Sequence, residues 1–261
     1  SDRQIESAYS DVLLIRNESN LGFAKANNIG LRYIREQKIE ADYIFFLNND
    51  TEYLTGSFDR LLAFLDDHPL VVSLTPAIIE GDYKFQTGVG GQAFTIPNIL
   101  IYFLFLNKLP FWHGRGINLD QHHFFKKKKT VQLDWVSGAA FFVRSAILSD
   151  APFFPENYFM YFEDVMMSKE LKKKGIILFY PHMLIRHDRS YSQTGIDKYF
   201  NSFHRYLIES GYGPLKRFII KKIIQLGLHL RLCIYRLIRN RNHPAYLAVK
   251  HQISSIRQVF H

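Results

Sequence analysis

The sequence predicts an α/β fold, a mostly parallel sheet with flanking helices, and three observations lead there. Short runs rich in β-branched and aromatic residues alternate with segments whose apolar residues recur at helical spacing. The runs break off abruptly into Asn, Asp, Gly or Pro, the residues of turns and caps. Hydrophobic residues make up 47% of the 261-residue chain, with 23 Phe and 15 Tyr, so there is ample material for a packed core.

Taken in order, Val12 to Ile15 reads as a short strand. The turn Asn20-Leu21-Gly22 leads into a helix over residues 24–37. Tyr43 to Leu47 is a second strand, ending sharply in Asn48-Asn49-Asp50. Residues 57–67 form an amphipathic helix with Ser57 as N-cap, Phe58, Leu61, Leu62 and Leu65 on one face, and Pro69 beyond its end. A third strand spans Leu70 to Leu74 and is closed by Pro76. This β-α-β-α-β order is the pattern of a parallel sheet. Residues 81–130 lack a clear period and read as strand and loop material, with a mobile basic turn at Lys126 to Lys129. Regular structure resumes at Trp135 to Val143. A helix then runs from Glu163 to Lys174, stopped by Gly175, and a strand from Ile176 to Tyr180.

Charge divides the chain. Its formal net charge is +9, and after Glu209 ten Lys and Arg residues face no acidic residue. On a helical wheel from Pro214 to Asn240, Ile219, Ile223, Leu226, Leu230, Ile234 and Leu237 share one side. Lys221, Lys222, Gln225, His229, Arg236 and Arg239 share the other. An apolar face flanked by cations suits an anionic membrane surface. Two units follow: residues 1–212 as the catalytic-type domain and 213–261 as a basic amphipathic tail. The longest apolar run, Ile99 to Leu106, falls far short of the roughly 20 residues of a spanning helix. Cys233 is the single cysteine, so no internal disulfide forms. No nucleic-acid-binding motif accompanies the basic charge.

Several groups can carry chemistry, and each has two readings on its own residues. Asn48 to Glu52 follows a strand directly, where α/β folds bind ligands, and Asp50 can hold a hard cation against a diphosphate; the alternative is a capped turn. Glu163 and Asp164 open a helix, either meeting its dipole or supplying a general base for a sugar hydroxyl. His187 is a solvated turn residue or a neutral metal ligand. The stretch Asn20 to Gly30 lets backbone approach a phosphate at a helix start, or is a plain turn. It is not the dinucleotide glycine fingerprint.

The motifs NLGFAKANNIG at Asn20 to Gly30, FLNNDTE at Phe46 to Glu52, WVSGAAFFVRSAIL at Trp135 to Leu148, FPENYFMYFEDVMMSKELKKKG at Phe154 to Gly175 and IRHDRSYS at Ile185 to Ser192 occur in one order. Together they resemble the family 2 glycosyltransferases of the GT-A (Rossmann-like) fold, especially the bacterial rhamnosyltransferase-like branch, over residues 11–192. The resemblance implies a metal-dependent, inverting transfer of a sugar from a nucleotide diphosphate, UDP- or dTDP-linked, to a glycan or lipid-linked acceptor. Asp50 would stand at the second acid of the DxD-type metal motif, with Asn48 at its first position, and His187 would be the late ligand to Mn²⁺ or Mg²⁺. Asp164 would be the base, with Glu163 orienting the acceptor. Asn20, Gly22 and Asn28 would lie along the nucleotide-sugar site, and Trp135, Ser137 and Gly138 would line the cleft. The amphipathic basic tail suits peripheral attachment to the cytoplasmic face of the cell membrane, the alternative being a helix packed on the domain. The resemblance also implies a first β-α-β unit ahead of Ser1, so that this chain is part of a longer protein. Many relatives carry an acid where Met166 stands, which bears on the acceptor side. Two other readings share parts of this pattern: a nucleotidyltransferase that makes sugar nucleotides, and an inactive membrane-bound homologue or scaffold.

Overall fold

The computed structural model describes residues 5, 6, 8, 9, 11–109, 112, 116–148, 152–188, 193–237 and 244–260. Expectations for residues 189–192 and 238–243 lie outside them. The elements come in the order α1 (Phe23–Glu36), β1 (Tyr43–Leu47), β2 (Thr51–Thr55), α2 (Phe58–Asp67), β3 (Val71–Ile79), β4 (Gly90–Gly91), α3 (Ile96–Phe103), α4 (Gln121–Lys126), β5 (Val131–Leu133), β6 (Trp135–Val136) and β7 (Ala140–Arg144). They continue with α5 (Glu163–Leu171), β8 (Ile176–His187), α6 (Gln193–Glu209), α7 (Pro214–Leu237) and α8 (Pro244–Val259).

The six-stranded sheet has the order β1-β7-β3-β8-β2, with β5 beside β8. Strands β3 and β8 pair in parallel, while β7 is antiparallel to both β1 and β3. Strands β1, β3 and β8 therefore share one direction, while β7, β2 and β5 run against them, and β3–β8 is the parallel pair of the sheet. The outer edge of β8 is shared, β5 pairing its first half and β2 its second, both antiparallel. Between those halves the β3–β8 register jumps from Pro76↔Tyr180 to Ala77↔Leu184. Pro181 sits in that bulge, where its missing N–H leaves no gap in the ladder.

Alternation along the strands loads both faces. On one, Phe46 and Phe141 pack with Leu31 of α1, Phe124 of α4 and Met167 and Leu171 of α5. On the other, Leu74 and Phe142 pack with Leu61 and Leu65 of α2. Ser57 caps α2 as its sequence implies, its hydroxyl accepting from Arg60 N at 3.2 Å. A further apolar cluster joins Phe94, Ile99 and Phe103 to α6, α7 and α8.

Several expected elements differ. Val12 to Ile15 forms no strand and is largely exposed, because the described residues offer it no partner strand. Strand β3 runs through Pro76 rather than stopping there. Residues 81–130 hold two helices, α3 and α4. The strand after α5 continues to His187 without a break in the element, which carries that residue to the far rim. The tail shares a core with the sheet domain: Ile220, Ile224, Leu228 and Leu232 of α7 are buried in the same cluster as Trp135 and Phe162. A Cβ on Gly227 would lie 2.5 Å from Phe103 O, so α7 and α3 meet backbone to backbone.

Candidate active site

The shared direction of β1, β3 and β8 puts their C-terminal ends on one rim, together with the start of β7 and the N-terminus of α5. At this rim α/β folds bind ligands. Thr51 and His187 are register partners across β2 and β8, and Asp188 N donates to Asp50 O at 2.9 Å. This pairing brings His187 Nε2 to 3.0 Å from Asp50 Oδ1 and 3.4 Å from Asn48 Nδ2. The His187 side chain is buried, while that of Asp50 is 45% exposed and opens to solvent.

Asp164 joins the same rim through the turn before β7. Its Oδ2 accepts from Gly138 N at 3.1 Å and its Oδ1 from Val165 N at 2.8 Å. Next along the chain, Ala139 O accepts from Asn48 N at 2.9 Å. A continuous path of hydrogen bonds and backbone thus runs from Asp164 through Gly138, Ala139 and Asn48 to His187 and Asp50. Ser137 supports the turn, its hydroxyl accepting from Ala139 N at 3.2 Å. Gly138 has no room for a side chain: a Cβ would stand 2.5 Å from the Phe23 ring at the start of α1. Asn20 and Gly22 just precede Phe23 in the chain. The Asn20 side chain accepts from Gly22 N at 3.0 Å, and Gly22 has φ 80 with Phe159 O where a Cβ would go.

The segment before Asp164 is strained and held. Tyr161 and Phe162 both have φ 68, unusual for residues with bulky side chains. The Phe162 ring packs among Phe94, Tyr199, Phe203 and Tyr206. Upstream, Glu209 accepts from Asn157 Nδ2 at 2.8 Å and from the Tyr158 hydroxyl at 2.7 Å. Ser202 Oγ donates to Met160 O at 2.8 Å. Helix α6 thereby fixes the loop that delivers Asp164.

Three residues expected at the site are buried in this geometry. Asn28 is buried, its side chain accepting from Phe153 N and Phe154 N and donating to Phe154 O and Glu156. It fastens the loop before α5 to α1 instead of facing a ligand. Trp135 is a core residue whose Nε1 donates to Ile117 O at 3.0 Å. Glu163 points inward at 5% exposure, away from any acceptor in solvent. Burial, and then the charge of Asp164, push its carboxyl up to about 8, so it holds a proton at neutral pH.

Two glutamines at the site escaped the sequence reading. Gln86 Oε1 lies 2.8 Å from His187 Nδ1. Gln121 braces that position, its Nε2 donating to Gln86 O at 2.6 Å and its Oε1 accepting from Ile78 N at 2.9 Å. A lone Gln has no spacing signature, and only the fold brings these two together.

Among the described residues no cluster of three or more His, Cys, Asp or Glu exists that could cage a metal. The pair Asp50 and His187 still suits a divalent cation. Its 3.0 Å separation matches two adjacent ligands of an octahedral ion at about 2.1 Å, and such ions commonly take remaining ligands from water and substrate phosphates.

This architecture is that of the GT-A glycosyltransferases. A solved structure titled "Crystal structure of GalNAc-T7 with UDP, GalNAc and Mn2+" superposes with a TM-score of 0.50 at 15% identity, over 77% of this chain and 38% of that one. The family model described as "Glycosyl transferase family 2" matches residues 2–129. An N-acetylglucosaminyl-diphospho-decaprenol L-rhamnosyltransferase of Mycobacterium tuberculosis is 27% identical over 72% of this chain and 62% of its own length. The rhamnosyltransferase WbbL of Escherichia coli K12 is 25% identical over 71% and 70% respectively. The chain is thus similar to the family 2 glycosyltransferases and, among them, to rhamnosyltransferases, and it spans 62% of the length of the mycobacterial relative.

Proposed function

We propose that the protein transfers a sugar, rhamnose by likeness to its relatives, from a nucleotide diphosphate to a hydroxyl of a lipid-linked glycan, with inversion. The observation that carries this reading is the bonded path linking Asp164 to Asp50 and His187 across one rim. Asp164 takes the proton of the acceptor hydroxyl as that oxygen forms a bond to the anomeric carbon. The bond from that carbon to the diphosphate breaks, and the nucleoside diphosphate leaves. A Mn²⁺ or Mg²⁺ ion held by Asp50 and His187 would neutralise charge growing on the leaving group. The N–H groups of Gly138 and Val165 orient the Asp164 carboxylate for its task.

Incubation with UDP- and dTDP-sugars, Mn²⁺ and a diphosphate-linked glycolipid tests the reading. Asp164→Asn should reduce transfer by a factor on the order of 10² to 10⁴ while donor binding persists. Unchanged transfer would overturn the assignment of the base.

The same reading places the enzyme on the cytoplasmic face of the membrane through α7. Its inner face is packed in the core, yet Leu215, Phe218, Leu226, Leu230, Ile234 and Leu237 remain exposed, interleaved with Lys216, Lys222 and Arg236. Most of the apolar stripe seen on the helical wheel is thus the side left bare, and no helix among the described residues is long and apolar enough to cross a membrane. An apolar stripe among cations fits the headgroup boundary of an anionic bilayer. The combined substitution Leu226→Ser, Leu230→Ser and Leu237→Ser leaves the packed face intact. It should abolish flotation with phosphatidylglycerol vesicles, and undiminished flotation would rule this surface out.

A further inference from the structure

We propose that Gln86 is a positioning residue that selects the ring tautomer of His187 and so keeps Nε2 free to bind the cation. This rests on the metal reading above. The two ring nitrogens of His187 face competing acceptors, Gln86 Oε1 at 2.8 Å from Nδ1 and Asp50 Oδ1 at 3.0 Å from Nε2. Without an acceptor at Nδ1, a neutral imidazole would place its proton on Nε2, toward the half-exposed Asp50 carboxylate, where it would occupy the lone pair a metal requires. The buried Gln86 acceptor instead holds the proton on Nδ1, and the Asn48 amide, 3.4 Å from Nε2, can donate to the lone pair there. With Gln86 accepting from Nδ1–H, the lone pair stays on Nε2, where Asp50 and the rim lie.

Gln86 is built for this task. It is 3% exposed, and its backbone is fixed on both sides, Gln86 N donating to Ile78 O at 3.0 Å and Gln86 O accepting from Gln121 Nε2 at 2.6 Å. Gln121, 2% exposed at the start of α4, also bonds both polar groups of Ile78, with Nε2 to Ile78 O at 3.3 Å. The acceptor facing His187 is therefore anchored to the end of β3, the strand next to β8. Partners of this kind, bonded to the far nitrogen of a liganding histidine, fix its orientation and raise its basicity.

The test uses the full chain labelled with ¹⁵N-histidine, with His187 assigned by comparison with His187→Asn. In wild type, Nδ1 should carry a proton both without metal and with Mg²⁺. In Gln86→Leu without metal, the proton should sit on Nε2, and Mn²⁺ affinity measured by electron paramagnetic resonance should fall on the order of tenfold to a hundredfold. Gln86→Glu keeps an acceptor and should keep both the tautomer and wild-type affinity or better. Should Gln86→Leu fail to fold, wild type and Gln86→Glu still report the tautomer. A wild-type His187 protonated only at Nε2, or a folded Gln86→Leu with unchanged tautomer and Mn²⁺ affinity, would overturn the proposal. Wild type that binds no divalent cation would overturn the metal reading with it, whereas metal binding indifferent to Gln86 would sink this proposal alone.

Discussion

Gly138 has a phenyl ring where a side chain would begin, and its N–H holds one oxygen of Asp164. Gly138→Ala therefore forces Phe23 or the turn to move, which should cost about 1 to 3 kcal/mol in urea unfolding. The shift also displaces the N–H from Asp164, so kcat should fall more than KM rises. Glu163, directly before Asp164 in the chain, gives a pH signature. Its carboxyl is raised from the ordinary value near 4.5 to about 8, so between these pH values the folded protein keeps a proton that the unfolded chain loses. Stability contributed by this group is full below about 4.5 and is lost as pH rises through about 8. Glu163→Gln removes the dependence. Urea midpoints of variant and wild type should converge near pH 4.5, with the variant higher above pH 8.

Elements explain why parts of the fold were legible and others were not. Strand β1 was readable because its apolar run breaks at Asn48, and α2 because Ser57 marks its start. Strand β2, with the sequence TEYLT, has no apolar alternation and exists through its pairing with β8, a contact far along the chain. The reverse happened at Val12 to Ile15, where strand propensity found no partner among the described residues. Helix α3 is apolar nearly all round, and its helical period disappears because α7 covers the side a surface helix would expose. The strained turn ahead of α5 left no sequence trace, since Tyr161 and Phe162 adopt left-handed backbone where glycine is usual. Aromatic packing around Phe162 offsets that strain. Phe162→Ala should destabilise the chain by about 3 to 5 kcal/mol in chemical denaturation and depress transfer by releasing the loop that carries Asp164.

At the scale of the molecule, the candidate site is a meeting of distant segments, and its candidate residues could be singled out because motif order stood in for geometry. Asp50, Asp164 and His187 were candidates by residue type and took their expected roles from the motif resemblance, and the shared direction of β1, β3 and β8 brings them to one rim. Gln86 and Gln121 were invisible for the converse reason, being single amides whose meaning depends on what the fold sets beside them. Asn28 and Trp135, expected along the cleft, are buried with intramolecular partners, and motif membership alone does not separate a residue that touches ligand from one that braces the residues that do.

The claim on which the rest depends is that the cation site and the base share that rim. Mn²⁺ broadening of backbone amide resonances measures it directly. With Mn²⁺ at Asp50 and His187, the amides of Asn48, Gly138, Ala139 and Val165 should broaden first, while those of Leu70 and Gly175 at the opposite end of β3 and β8 stay sharp. Broadening centred on Leu70 and Gly175, or absent from Gly138 and Val165, would contradict the account.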